Sequence, residues 1–125
     1  MLINLDANIV INLLDDHKNT RQVEELIKEG DICVTPITVH IVWYFFDKGY
    51  IQCLKKKMLE FFNSVEILAM SKHTYKKALL ISKLEDIEDG MQIACCLENN
   101  VNKVLTSDSG MYAKYSKKIS IELIK

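Results

Sequence analysis

The chain is poor in everything that would break it into parts. It has one proline, Pro36, four glycines (Gly30, Gly49, Gly90 and Gly110) and one tryptophan in 125 residues. No Pro-, Gly- or Ser-rich stretch marks a linker, and no segment repeats, so the length suits one domain, 1–125, with one hydrophobic core. No apolar run reaches the roughly 18–20 residues needed to cross a bilayer. No Lys or Arg precedes the first apolar residues and no small-residue cleavage site follows them, so a secretory signal is not expected. The four cysteines, Cys33, Cys53, Cys95 and Cys96, form no C-x-x-C pair and no zinc spacing. They read as small core residues of a protein in a reducing cytoplasm. Neither sign of charge prevails: 16 Lys and Arg face 17 Asp and Glu, a net charge of −1. That excludes a protein holding nucleic acid by bulk charge alone. It leaves open an enzyme that meets RNA over a metal-neutralised acidic site. The lysines at 55–57, 76–77 and 114–118 read singly as solvated helix faces.

What the chain does have is apolar residues, 49% of the total, in short bounded runs that alternate with helical patterns. The coarse reading is strand 2–5, helices 8–15 and 20–29, strand 31–34, helices 37–47 and 50–62, and strand 65–67. Helices 72–84 and 87–98, strand 103–106, a short helix near 109–115 and a last strand 119–123 complete it. Gly30 reads as the stop of the second helix, and Tyr75, Ala78, Leu79 and Ser82 read as the apolar face of helix 72–84. Buried strands alternating with helices predict a three-layer α/β/α fold around a mostly parallel twisted sheet of about five strands.

Three segments place carboxylates at strand ends or in the first turn of a helix: Leu5-Asp6, Asp86-Ile87-Glu88-Asp89, and Thr106-Ser107-Asp108. Each acid alone is explained by helix capping. Asp6 or Asn8 would cap the first helix, Asp86 the helix it opens, and Asp108 the last one. In a parallel sheet, however, these places gather along one edge, where ligands bind. Carboxylates gathered there repel one another unless a cation lies among them. Magnesium is the natural filler: one or two carboxylates hold it, and waters and substrate phosphates complete its shell. Such an ion activates water for phosphodiester cleavage, with Asn8 and Thr106 orienting the carboxylates or touching phosphate oxygens.

At these residues the chain resembles PIN-domain proteins, the fold of many VapC-like toxin ribonucleases of toxin–antitoxin pairs. Leu5-Asp6-Ala7-Asn8 resembles the family's opening Asp-x-Asn. Glu88-Asp89-Gly90-Met91-Gln92-Ile93-Ala94 resembles its Glu-Asp-Ala-x-Gln-x-Ala helix start, and Val104-Leu105-Thr106-Ser107-Asp108 its closing apolar-Thr-x-Asp. The resemblance implies a ribonuclease dependent on Mg2+ or Mn2+, leaving 5′-phosphate and 3′-hydroxyl ends. It implies Asp6, Asp89 and Asp108 as metal ligands or their close supports, Asn8 and Thr106 as polar helpers, and Asp86 as a further acid. It also implies an antitoxin partner laid into a groove, and a homodimer.

The chain departs from the family pattern in the helix after the second strand. The family carries a glutamate there, whereas Thr35-Pro36-Ile37-Thr38-Val39-His40-Ile41-Val42 has no acid, and none follows until Asp47. The glutamate position falls on His40 or Ile41. Gly110 likewise stands where many relatives have an acid, so weaker metal binding is expected. His40 would ligate a softer metal, hold a phosphate when protonated, or be inert. His17 and His73 carry no pattern. Trp43-Tyr44-Phe45-Phe46 covers every side of its helix, so at least one ring is expected to face outward as a dimer or antitoxin contact. Three functions remain: a metal-dependent endoribonuclease of a toxin–antitoxin pair, a degenerate module that binds RNA or protein without cutting, and a small phosphatase or receiver-like domain. The last would need an acid at a middle strand's end, and Val34-Thr35-Pro36 offers none.

Overall fold

The computed structural model describes residues 1–15 and 20–125; His17 lies outside them. The elements run β1 (Leu2–Leu5), α1 (Ala7–Leu14), α2 (Thr20–Ile27), β2 (Asp31–Val34), α3 (Pro36–Asp47), α4 (Lys55–Ser64) and β3 (Glu66–Ile67). They continue with α5 (Lys72–Ser82), α6 (Ile87–Glu98), β4 (Lys103–Thr106), α7 (Ser109–Tyr115) and β5 (Ser120–Leu123). The described strands form one sheet in the order β3-β2-β1-β4-β5. Every pairing is parallel, with Asn4 level with Cys33 on one side and Val104 on the other. The expected α/β fold with about five strands is therefore present, and the sheet is parallel throughout.

The strands β2, β1, β4 and β5 carry apolar residues that serve two cores by strict alternation, whereas the short edge strand β3 is exposed. Ile3, Leu5, Val34 and Leu105 face a layer built from Ile9, Val10 and Leu14 of α1, Val23 of α2, Val42 of α3, and Met58 and Phe62 of α4. Cys33, Val104 and Ile121 face the other way, onto Ile93, Cys95 and Cys96 of α6 and Met111 and Tyr115 of α7. Cys33, Cys95 and Cys96 are core fillers, while Cys53 is half-buried. Burial pushes the thiols of Cys33 and Cys95 up to about 12 and about 11, so neither is a thiolate at neutral pH.

Four expectations need correction. Helix 50–62 begins later, at Lys55. Leu54 gives it no side-chain cap, while Ile51 is buried and the Gln52 N–H donates to Asp15 Oδ1 at 3.0 Å, which ties the preceding turn to α1. Helix 72–84 stops at Ser82 because Lys83 and Leu84 turn left-handed, at φ 54° and 64°. Lys114 Nζ satisfies the freed carbonyls, donating to Ser82 O at 2.7 Å and Glu85 O at 3.1 Å. The buried stripe of this helix is Thr74, Ala78 and Ser82, whereas Tyr75 faces solvent. The stripe's small side chains let α6 approach: a Cβ on Gly90 would sit 2.9 Å from Ser82 Cβ and 3.1 Å from the Ala78 carbonyl oxygen. Gly30, finally, does not stop α2, which ends three residues earlier at Ile27. It is needed because a Cβ there would collide with the Met1 carbonyl oxygen, which accepts the Asp31 N–H at 2.8 Å.

Candidate active site

In this strand order the chain goes one way from β1 to β2 and β3, then returns to the other side of β1 as β4. The carboxyl ends of β1 and β4 thus flank the point where the winding reverses, which is where open α/β sheets hold ligands. Asp6 stands directly beyond β1. Its N–H extends the β1–β4 ladder, donating to Leu105 O at 3.0 Å. Its side chain caps α1, Oδ1 accepting from the Ala7 N–H at 2.8 Å. The capping expectation therefore holds for Asp6, and Asn8 is exposed in the first turn of α1.

Capping is only part of what Asp6 does. It is 6% exposed and at the centre of a buried polar network. Oδ1 also accepts from Gln92 Nε2 at 3.1 Å, and Oδ2 accepts from Thr106 Oγ1 at 2.7 Å. Gln92 Oε1 in turn accepts from Thr38 Oγ1 at 2.9 Å and Thr35 Oγ1 at 3.4 Å, while Thr106 Oγ1 accepts the Asp108 N–H at 3.0 Å. One carboxylate is thus fixed from β4, α6 and, through Gln92, α3. A buried network with its members satisfied holds a side chain in one geometry. Thr106 makes the contact to the Asp6 carboxylate that an orienting role would use. Gln92 was legible in the sequence as part of the resembled helix start, but not as the residue that holds Asp6. Substituting Gln92→Leu strands the Thr38 and Thr35 hydroxyls without their acceptor, so a loss of about 1–3 kcal/mol is expected, measured by urea unfolding.

Asp89 lies in the first turn of α6. Its carboxyl is pushed up from 3.8 to about 6 by burial first, then by the carboxylates of Asp108, Asp6, Asp86 and Glu88. The acids of the three sequence segments therefore share one electrostatic field. Asp108 caps α7, Oδ1 accepting from the N–H groups of Gly110 and Met111 at 2.8 and 3.2 Å. Asp86 occupies the N-cap position of α6 but makes no capping bond, being left-handed at φ 48°. Its carboxylate is spent on the field at Asp89. A group that sequence reading passed over lies near them: the Tyr115 hydroxyl, on a side chain with no exposure, has no hydrogen-bond partner among the described residues. Burial, then Asp89 and Asp86, raise its pKa.

His40 is on the exposed side of α3, with its ring centroid 6.4 Å from that of Tyr44. Together with Glu88 of α6 it lines two adjoining concavities of about 300 and 360 Å³. Of the aromatic run, Tyr44 faces outward, 49% exposed. Trp43, Phe45 and Phe46 pack against the first core, and Trp43 stacks on Phe62 of α4 at 6.4 Å.

The donors that converge here are hard oxygens, suited to magnesium or manganese rather than to a soft metal. Among the described residues, no group of three or more His, Cys, Asp or Glu is disposed to hold a metal ion. What the site does show is a half-buried carboxyl whose proton affinity is raised by its neighbours, the condition a divalent cation relieves. Asp6 also keeps acceptor capacity on Oδ2 beyond the Thr106 bond. The residues fit an ion held by one or two carboxylates with water completing its shell, which is how magnesium is commonly bound.

Comparison with known proteins agrees with this fold. A model of the PIN domain matches residues 3–117, and the chain belongs to that family, which includes nucleases that use divalent metals. No curated protein matches it. Among solved structures, a VapBC2 complex of Rickettsia felis bound to a promoter DNA fragment aligns over 100% of both chains, with a TM-score of 0.72 and 19% identity. A toxin–antitoxin complex from Klebsiella pneumoniae covers 96% of this chain and 95% of its own, with a TM-score of 0.72 and 10% identity. VapC20 of Mycobacterium tuberculosis, a sarcin–ricin loop cleaving toxin, covers 89% and 93%, with a TM-score of 0.66 and 9% identity. At such identities the likeness is one of fold. Among the described residues no helix is long and apolar enough to cross a membrane.

Proposed function

We propose that this protein is a metal-dependent endoribonuclease and the toxin of a toxin–antitoxin pair. The single observation that carries the reading is the placement of Asp6 beyond β1, where the sheet reverses its winding, held there by Gln92 and Thr106, with the Asp89 carboxyl close enough to feel both Asp108 and Asp6. Mg2+ or Mn2+ would be held by Asp6, Asp89 and Asp108, supplying charge neutralisation and a more acidic water. The chain's own residues do the rest. Gln92 and Thr106 hold Asp6 in one rotamer, and the α6 first turn presents Asp89 to the opening. RNA is the proposed substrate because a cation in this field would draw in phosphate oxygens, despite a net charge of −1.

The antitoxin would be a peptide seated away from the acids. A concavity of about 430 Å³ between the end of α1 and the start of α4, lined by Leu14, Gln52, Cys53 and Leu54 among others, is the proposed seat. Exposed Leu54, beside it, offers apolar surface for such a peptide to cover. Co-expression with a tagged copy of any small open reading frame found beside the gene, followed by co-purification, tests this; a homodimer would show as a doubled mass of the full chain in solution.

One observation favours a second reading, a degenerate module that binds without cutting: α3 offers no acid until Asp47. Ile41→Glu separates the two. Ile41 lines the concavity that Glu88 also faces, so an acid there adds a carboxylate across from α6. If the site is only weakened, Ile41→Glu raises manganese-dependent RNA cleavage about tenfold and tightens manganese binding in calorimetry, the magnitude being that of a typical supporting group at a metal site. The same gain from His40→Glu instead would place the α3 acid at His40. No gain from either change supports the binding module.

A further inference from the structure

We propose that the cleft between α3 and α6 is a base-binding subsite that takes one unstacked guanine of a single-stranded RNA. The inference rests on the nuclease reading above and names the substrate feature that the site would select. The cleft has two lobes that share His40 and Glu88 as a common wall. One, of about 300 Å³, is lined further by Ile41, Tyr44 and Phe45; the other, of about 360 Å³, by Pro36, Ile37 and Met91. Both volumes are in the range in which concavities take small ligands, roughly 300–1,000 Å³.

The lining is that of a base pocket. Tyr44 presents a half-exposed ring, and the His40 and Tyr44 rings are tilted by 37° at 6.4 Å, too far apart to stack on each other. Phe45 packs edge-on against Tyr50 at 5.8 Å, which steadies the floor. Proteins that read single-stranded RNA splay bases out and stack them on Tyr, Phe or His while hydrogen-bonding their Watson–Crick edges. Among the described residues that line the cleft, Glu88 is the single carboxylate, an acceptor without donors when ionised. Guanine is the one RNA base whose Watson–Crick edge offers two adjacent donors, N1–H and N2–H, matching the two oxygens of a carboxylate. Adenine and cytosine each offer one amino group, and uracil one imino N–H beside acceptor oxygens, which a carboxylate repels.

The cleft is continuous with the proposed site. Glu88 adjoins Asp89 in the first turn of α6. One turn further on, at the (i, i+4) position on the same helix face, Gln92 reaches Asp6 and Thr38. A strand whose phosphate lies over Asp6 and Asp89 would therefore have a neighbouring base at the mouth between Glu88 and Tyr44.

The test uses the full-length protein and a fluorescein-labelled RNA heptamer of adenine and cytosine with one central guanine. The same heptamer with inosine, which lacks the N2 amino group, is the comparison. Cleavage in manganese and binding by anisotropy are both read. The expected result is cleavage at a fixed distance from the guanine, with guanine preferred to inosine about tenfold in both rate and affinity. Glu88→Gln reduces that preference to near one, and Tyr44→Ala weakens binding of every heptamer about tenfold, the scale of one lost base–aromatic stack. Should the protein not cut, the anisotropy comparison still decides. Cleavage that needs Asp6 but ignores the base, and whose preference Glu88→Gln leaves unchanged, overturns the base pocket while the nuclease reading stands. Base preference without any dependence on Asp6 or metal overturns the nuclease reading instead. Loss of a protein partner or a change in oligomeric mass on Tyr44→Ala, with base preference intact, assigns the surface to a protein and also overturns the proposal.

Discussion

Asp6→Asn is expected to reduce metal-dependent RNA cleavage at least a hundredfold while the protein remains folded. The size follows from what Asp6 does in the structure. It is the one acid of the site that β1, β4 and α6 together hold in place, through the ladder bond to Leu105 and the side-chain bonds from Gln92 and Thr106. Loss of a group that only supports a metal ligand commonly costs 10–100-fold, and removing the ligand's charge costs more. Asparagine keeps the shape and one acceptor oxygen, which can still cap α1 or meet Thr106. Its amide N–H2 meets one of the present donors badly, so a loss of about 1–3 kcal/mol accompanies the change. Circular dichroism and a urea transition separate the two effects. A folded but inactive variant supports the metal role, whereas activity equal to the parent would show that Asp6 is a helix cap and nothing more.

Asp89→Asn has a different signature: it should inactivate the protein and make the metal-free form more stable. The Asp89 carboxyl is raised to about 6 in the folded protein from an ordinary 3.8. The folded state therefore binds this proton more tightly than the unfolded state does, and the charged form carries a penalty in the folded protein. By linkage that penalty is absent below about pH 4, grows as pH rises through the window from about 4 to 6, and is complete above it. In EDTA at pH 7.5 the variant should melt above the parent, and the gap should close as the pH is lowered to 4. Bound metal reverses the order, because an ion at a hundred times its dissociation constant stabilises the form that binds it by about 2.7 kcal/mol. Adding manganese should thus raise the melting temperature of the parent and leave Asp89→Asn unmoved. A variant that melts below the parent in EDTA at every pH would mean that burial and the neighbouring acids do not penalise the charged carboxyl at this position.

The two variants also show what was legible in the chain. Asp6 and Asp108 could be read twice from sequence, as caps and as members of an acidic edge; the cap bonds are present for both, and the acidic edge is the proposed role. The cap bonds fix where each carboxylate stands, and both carboxylates raise the proton affinity of Asp89. Asp86 fails as a cap because Lys83, Leu84 and Asp86 are all left-handed, which one-dimensional spacing does not reveal. The strands were readable because a four-residue apolar run between turn signals has few alternatives, and the all-parallel order follows from helices between every pair. The start of α4 was not readable, since Tyr50 to Leu54 has helical periodicity but is held by the Asp15 bond to Gln52 across the fold. The part Gln92 plays, beyond its place in the resembled motif, escaped for a similar reason. Its partners Thr35, Thr38 and Asp6 are 54 to 86 residues away in sequence, and a buried glutamine declares a role only once its partners are known. His40 could be placed on an apolar helix but not beside Glu88, because that pairing is made by the packing of α3 against α6.

The central claim is that the acidic edge formed by Asp6, Asp89 and Asp108 binds a divalent ion and cuts RNA with it. The most direct measurement is cleavage of a 5′-labelled single-stranded RNA by the purified protein in Mn2+, run beside Asp89→Asn and beside the parent treated with EDTA and then resupplied with Mn2+. The expected result is discrete products with 3′-hydroxyl ends from the parent, none from the variant or in EDTA, and recovery of the parent on resupply. Cleavage by Asp89→Asn at the parent's rate, or cleavage that persists in EDTA, would contradict it.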